Sequence, residues 1–369
     1  MVSLLIDVAI LAAGFAVLVK AADLLVEGSI GLSRRFGVPE LVIGLTICAF
    51  GTSAPELFVN GVAALQGRDD LVVGNVLGSN LFNTLVVLGV GSLITKLTIQ
   101  PRSFRTELLF GTVAALATLV LANDGWFGPA ESVLSRGDAG LLLFGFAIFL
   151  RHAMSIDGDE DEGGGEPSES ALKSSAILHV GAAGLPLGAH LVVVSSTDIA
   201  SAVGVSEGLI GLTLVSMGTS LPELAATAVA ARKGYIGLAV GNVLGSNVFN
   251  LLLVLGASSA LNPIAFDAAF NADLSILVGA GALVYVLAFR PKEPGLTRAA
   301  GFILLAVFAL YLVFLAVRET GRIEADAGGG RVGSDARGLV ESDPPERIPW
   351  AAHGRIESRP APRPWRSQT

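Results

Sequence analysis

Charge is scarce in this chain. Only 15% of its 369 residues are Asp, Glu, Lys or Arg, against about 25% in an ordinary soluble domain. With 52% hydrophobic residues and a mean hydropathy of +0.68, a water-soluble fold is excluded. Cysteine is nearly missing: Cys48 stands alone, so no intramolecular disulfide can form and stability must come from packing. The first residues, Met1-Val2-Ser3, lack the basic character of a signal-peptide leader. An excess of positive charge is missing too, and a net charge of −8 argues against nucleic-acid binding.

What is present is long apolar runs. A helix needs about 20 residues to cross the hydrocarbon of a bilayer. Ten stretches qualify as candidate spans, near 4–27, 38–65, 71–94, 105–122, 138–152, 174–197, 205–231, 238–260, 272–290 and 298–317, the fifth being short. The expected fold is therefore an all-α polytopic membrane protein. With the N-terminus outside, the inner loops hold Arg34, Arg35, Lys96, Arg102, Arg105, Arg151, Lys173, Arg232, Lys233, Arg290, Lys292 and Arg298. The outer loops then hold only Arg68 and Arg136. This asymmetry follows the positive-inside rule. It is expected to leave both termini outside, and the plasma membrane is the expected host by default, since the sequence shows no organellar targeting signal.

Two stretches fall outside the spans. Residues 153–171 are acidic and Gly-rich and are expected to form a cytoplasmic linker. Asp157, Asp159 and Asp161 alternate as in a calcium loop, but Glu162 and Ser168 occupy the positions that an EF-hand reserves for Gly and Glu. Residues 319–369 are expected to form a disordered tail.

The strongest signal is duplication. Aligned at a constant offset of 167, residues 37–89 and 204–256 share roughly 32 identities in 53 positions without a gap. GTSAPE at 51–56 faces GTSLPE at 218–223, and GNVLGSNLFN faces GNVLGSNVFN. Five spans separate the copies. An odd number reverses their direction across the membrane, so the expected architecture is two inverted five-helix halves, 1–152 and 172–318. In transporters with inverted repeats, substrates bind near the midplane between the halves.

The repeated residues suit a hard cation. Pro55 and Pro222 each lack an N–H and are expected to break their helices, freeing carbonyls around 49–52 and 216–219. Such carbonyls are tolerated at membrane depth only where they line a cavity. Thr52 and Glu56, like Thr219 and Glu223, are four apart and share a helix face. Ser53 and Ser220 add hydroxyls. An ionisable residue inside a span costs at least about 2.5 kcal/mol and marks a functional site. On the partner helices, Gly74 and Gly78, like Gly241 and Gly245, form GxxxG pairs for close helix approach. Asn75, Ser79 and Asn83, and their counterparts Asn242, Ser246 and Asn250, form polar stripes. Ser79, Asn83, Ser246 and Asn250 are expected to line the site; Asn75 and Asn242 read as interhelical glue. Two carboxylates, hydroxyls, amides and carbonyls, without His or Cys, favour Ca²⁺ or Na⁺ over zinc or copper.

These motifs resemble the two alpha repeats of sodium/calcium exchangers in the calcium/cation antiporter superfamily. The resemblance implies a secondary active antiporter, not an enzyme, that extrudes Ca²⁺ against inward Na⁺ and uses no cofactor beyond these transported ions. It implies calcium coordination by Glu56, Glu223, Thr52 and Thr219. Sodium would add Ser53, Ser220, Ser79, Ser246 and the carbonyls of Ala49 and Ser216, with Asn83 near the centre. Three Na⁺ per Ca²⁺ is likewise a property of the family. Potassium-dependent members carry Asp where this chain has Asn250, so potassium co-transport is not expected. A calcium/proton antiporter is the first alternative, although its Gly-Asn-x-x-Glu pattern is absent; a cation channel is the second. Among other polar residues, Lys20, Asp23 and Glu27 read as a snorkelling, mutually paired group, and His190 and Cys48 as packing residues. Oligomeric state stays open.

Overall fold

In a computed structural model the chain is almost entirely helical, with residues 2–98, 101–126, 132–156, 170–202, 216–289 and 294–332 described. The helices are α1 (Val2–Phe36), α2 (Glu40–Leu65), α3 (Asp69–Ile94), α4 (Pro101–Leu121), α5 (Arg136–Ala153) and α6 (Ala171–Ala202). They continue as α7 (Leu221–Lys233), α8 (Ile236–Leu261), α9 (Phe270–Ala288) and α10 (Arg298–Val332). Eight of them are long and apolar enough to cross a membrane. The other two correspond to the fifth and seventh candidate spans. In α5, Arg136, Asp138 and Arg151 dilute the apolar sequence. For α7, the start of the candidate span lies in 203–215, outside the described residues. The acidic linker falls mostly outside them as well. The last helix runs to Val332 and so occupies the first part of the stretch expected as tail, where Glu319, Arg322 and Glu324 are good helix formers. Residues 333–369 are outside the described residues.

Residues Met1–Val317 form one compact unit. Burial within it is graded. In the most apolar 18-residue window of α8, 94% of residues are buried, against 17% for α1, so α8 is central and α1 peripheral. Large apolar side chains such as Phe58, Phe144, Phe302 and Leu310 point outward. Such a surface is stable only against lipid, which makes this a multi-pass membrane protein.

Two devices draw the repeats together. A Cβ on Gly241 would stand 2.5 Å from the carbonyl oxygen of Leu41, and one on Gly245 2.6 Å from that of Leu45. These glycines let α8 meet the backbone of α2 directly, as the GxxxG pattern predicts. For Gly74 and Gly78 the symmetry-related partner is 204–215, outside the described residues. The second device is a wide helical turn. Gly44–Cys48, Asn83–Val87 and Phe249–Val254 are π-helical, a conformation frequent at functional sites.

The peripheral helices are fastened by short strand pairings. β1 (Val133–Leu134) pairs antiparallel with β2 (Ile264–Ala265), Leu134 opposite Ile264. Leu97, which the offset of 167 relates to Ile264, makes an antiparallel bridge to Leu296. Polar pairs add to this: Asn123, just past the end of α4, and Asn271 of α9 exchange reciprocal amide hydrogen bonds of 2.8 Å. Buried Glu107 on α4 meets His152 of α5 at 2.9 Å.

Candidate functional site

The site forms where the repeated segments cross. Glu56 and Glu223 are each fully buried, as are Thr52, Ser79, Asn83, Ser220, Ser246 and Asn250; Ser53 is buried too. Thr219 is half-buried. Ser216 lies in the helical turn Ser216–Gly218 just before α7.

Six interhelical contacts here fall into three pairs related by the offset of 167. Ser53 Oγ donates to Glu223 Oε1 at 2.9 Å, and Ser220 Oγ to Glu56 Oε1 at 3.5 Å. Thr52 Oγ1 donates to Asn242 Oδ1 at 3.1 Å, and Thr219 Oγ1 to Asn75 Oδ1 at 3.2 Å. The hydroxyls of Thr52 and Ser246 are 3.3 Å apart, and those of Thr219 and Ser79 are 3.5 Å apart. Each of the six contacts joins one half of the chain to the other. The serine after each threonine therefore serves the opposite half's glutamate. Asn75 and Asn242 act as the expected glue between helices, each accepting a threonine hydroxyl from the opposite half.

Behind the carboxylates lies a supporting layer that the sequence reading missed. Asn60 Nδ2 donates to the Glu56 carbonyl at 2.8 Å. At the equivalent place in the other half, Thr227 Oγ1 accepts from Asn242 Nδ2 at 3.1 Å. Both are buried and follow their glutamate by four residues, one helical turn. That spacing is the signal that could have found them.

The helix breaks differ from expectation. Around Pro222 the chain does break: Ser220 leaves helical geometry and α7 begins at Leu221, leaving the proline in the first turn, where an N–H is not needed. Around Pro55 it does not. The α-helical segment Ala49–Leu65 runs through the proline, and the irregularity moves back to the π-turn at Gly44–Cys48. A wide turn redistributes backbone bonding without ending the helix. The Ala49 carbonyl lies 3.2 Å from the Thr52 hydroxyl, whose one proton it shares with Asn242 Oδ1.

What the network leaves over is informative. Among the described residues, Glu56 Oε2, Glu223 Oε2 and both side-chain polar atoms of Asn83 and of Asn250 are buried without a hydrogen-bond partner. Unpaired buried oxygens of this kind are rare and call for a ligand or an ion. No group of three or more His, Cys, Asp or Glu occurs among the described residues. The donor set is therefore two carboxylates with hydroxyl, amide and carbonyl oxygens, which fits a hard cation.

Comparison with known proteins points the same way. The chain matches the profile of the family described as "Sodium/calcium exchanger protein" over residues 6–154 and 173–317. It is 32% identical over 324 residues to the inner membrane protein YrbG of Escherichia coli, covering 85% of this chain and 97% of that one. It is 29% identical over 345 residues to the sodium/calcium exchanger MaX1 of Methanosarcina acetivorans, covering 83% and 97%. Among solved structures, the sodium-calcium exchanger NCX_Mj soaked with 10 mM Na⁺ and 10 mM Sr²⁺ superposes with a TM-score of 0.72 at 30% identity. The match covers 85% of this chain and 99% of that one.

Proposed function

Since this chain belongs to the sodium/calcium exchanger protein family, a family of antiporters, we propose that it exchanges Na⁺ for Ca²⁺ by alternating access and extrudes calcium. The observation that carries the reading is the pair of buried carboxylates, each held on one oxygen by the opposite half and open on the other. Calcium takes six to eight oxygens in irregular geometry. Glu56 and Glu223 neutralise one Ca²⁺, with Thr52 and Thr219 completing its inner set. Sodium uses overlapping oxygens of Ser53, Ser220, Ser79, Ser246 and the carbonyls of Ala49 and Ser216, with Asn83 and Asn250 at the centre. Overlap makes the two ions mutually exclusive, which is what an exchanger requires.

The halves, 1–152 and 172–318, rock against each other through the six crossed contacts, with 153–171 as the linker between them. On the asymmetry of its basic residues the chain is read with its N-terminus outside a plasma membrane; the YrbG relative is named as an inner membrane protein.

The test is ⁴⁵Ca uptake into proteoliposomes loaded with sodium, potassium or a pH gradient alone. Uptake that needs internal sodium is the expected result. Equal uptake driven by protons without sodium would overturn the coupling ion and keep the carboxylates. Current without a counter-ion would make the protein a channel.

A smaller effect separates the hydroxyls from the carboxylates. Ser53→Ala removes a donor to Glu223, an interaction worth about 1.5–3 kcal/mol when the acceptor is charged. Apparent sodium affinity is expected to fall roughly tenfold or more, read as a right-shift of sodium-dependent uptake, with the protein still folded.

A further inference from the structure

A second place in the molecule has a built chemistry that exchange does not use. A groove of about 640 Å³ opens on the surface of the helical bundle between α1 and α7. One end is apolar, walled by Phe15, Val19 and Val229. The other end is ionic. Asp23 accepts from Lys20 at 3.0 Å and pairs with Lys233 across the groove, joining the two helices. One carboxylate cannot balance three bases. Arg232, also in the groove wall, has no ion pair among the described residues, and the cluster carries a surplus of two positive charges. The Lys20 side chain is 67% exposed and that of Lys233 37%, so both heads are accessible.

The cluster is not a by-product of the duplication. The offset of 167 continues into α1 and α6, where Leu18-Val19-Lys20-Ala21-Ala22-Asp23 faces Leu185-Pro186-Leu187-Gly188-Ala189-His190. Lys20 and Asp23 thus correspond to Leu187 and His190, and Arg232 and Lys233 to Leu65 and Gln66. The repeat that preserves all of Thr52, Ser53, Glu56, Ser79 and Asn83 in its second copy preserves none of these four charges. They exist on one face only, the face that the basic loops assign to the inside.

From this juxtaposition of a basic rim and an apolar trough, we propose that the groove between α1 and α7 binds an anionic phospholipid of the inner leaflet. Its phosphate meets Lys20, Arg232 and Lys233, and an acyl chain lies along Phe15, Val19 and Val229. Basic pockets between helices on the cytoplasmic side are suited to anionic headgroups, and long basic side chains reach the interface while their stems stay in lipid. Asp23 holds Lys20 and Lys233 as a pair facing the same phosphate. Only the choice of leaflet rests on the proposed orientation; the site itself does not depend on which ions are exchanged.

The experiment is native mass spectrometry of the delipidated full chain titrated with phosphatidylglycerol or phosphatidylcholine. Wild type is expected to bind the first phosphatidylglycerol at least tenfold more tightly than phosphatidylcholine. The exposed triple variant Lys20→Gln, Arg232→Gln, Lys233→Gln is expected to lose that preference. Ala16→Trp, which fills the trough and leaves every charge, should weaken the same binding event. The pair Arg34→Gln, Arg35→Gln, basic but outside the groove, should leave it unchanged. Equal binding of the two lipids by wild type overturns the proposal, and so does an equal loss in the Arg34/Arg35 variant, which would reduce the effect to general surface charge. Displacement by millimolar inorganic phosphate would show a free-anion site instead, and full binding by Ala16→Trp would remove the acyl chain from the groove.

Discussion

Glu56→Gln is expected to abolish calcium exchange and, at the same time, to make the ion-free protein harder to melt. The two outcomes have one cause. Glu56 and Glu223 are fully buried, each with one oxygen that lacks a hydrogen-bond partner, and a buried carboxyl group that meets no cation is costly. Gln keeps the shape and the oxygen that Ser220 reaches, so the fold loses little. Removing one partner of a buried charge pair costs about 3–5 kcal/mol, which corresponds to a loss of calcium affinity on the order of 100- to 4,000-fold. Stabilisation by a ligand scales with the logarithm of its concentration over its dissociation constant. Wild type should therefore show a calcium-dependent rise in melting temperature, and Glu56→Gln should show none from a higher starting point. Melting curves with and without calcium, together with ⁴⁵Ca uptake, check both halves. A variant that melts lower than wild type without calcium would show that Glu56 is structural. Glu223→Gln should behave alike, since each carboxyl group accepts a serine hydroxyl from the opposite half and leaves its other oxygen without a partner.

Gly241→Val is expected to have the largest effect on stability. Its Cβ would lie 2.5 Å from the Leu41 carbonyl oxygen, 2.9 Å from the Leu45 nitrogen and 3.0 Å from the Gly44 Cα. All three are backbone atoms, so no side-chain rotation relieves the contact. Overpacking of this kind costs about 1–3 kcal/mol and occasionally more, and a branched residue against fixed backbone belongs at the upper end. The damage does not stay local, because Asn242 is the next residue and Thr52 lies on the helix being pushed away. Loss of monodisperse protein on size exclusion, or a much lowered melting temperature, is the expected reading. Gly140→Ala on α5 is the control: nothing described lies within 4 Å of its Cβ, and replacing a helical glycine gains roughly 1 kcal/mol. Equal damage from both substitutions would mean that helix approach is not what Gly241 provides.

Much of this architecture was legible in the sequence because it depends on what lipid forbids. Apolar length marks the helices, an odd number of them between two copies of one motif inverts the second copy, and a glutamate inside a span must be matched by something. The same rule marked Thr52, Ser53, Ser79 and their counterparts, which the structure brings into contact. Other features depend on three-dimensional fit. The prolines stand in closely similar sequence contexts, GTSAPE and GTSLPE, yet α2 runs through Pro55 while the chain breaks before Pro222. Removing an N–H says that one carbonyl loses a donor; it does not say whether a π-turn, a hydroxyl or a break makes up the loss. The π-turns beginning at Asn83 and Phe249 have no composition of their own that marks them in the sequence. Asn60 and Thr227 escaped for a simpler reason, since they differ between the copies and the reading followed identities.

The crossing of contacts between the halves bears on how the protein is made. The hydroxyl that reaches Glu56 belongs to Ser220, 164 residues later in the chain. At about 5–20 residues per second on the ribosome, roughly ten to thirty seconds pass between synthesis of the two. For that interval the nascent first half sits with a carboxylate in its span and no counterpart to meet it, at a cost of at least about 2.5 kcal/mol if it enters lipid charged. Its α2 therefore has reason to stay beside the insertion machinery until α7 arrives. Two halves expressed as separate chains should each be short-lived and should protect one another from degradation when made together.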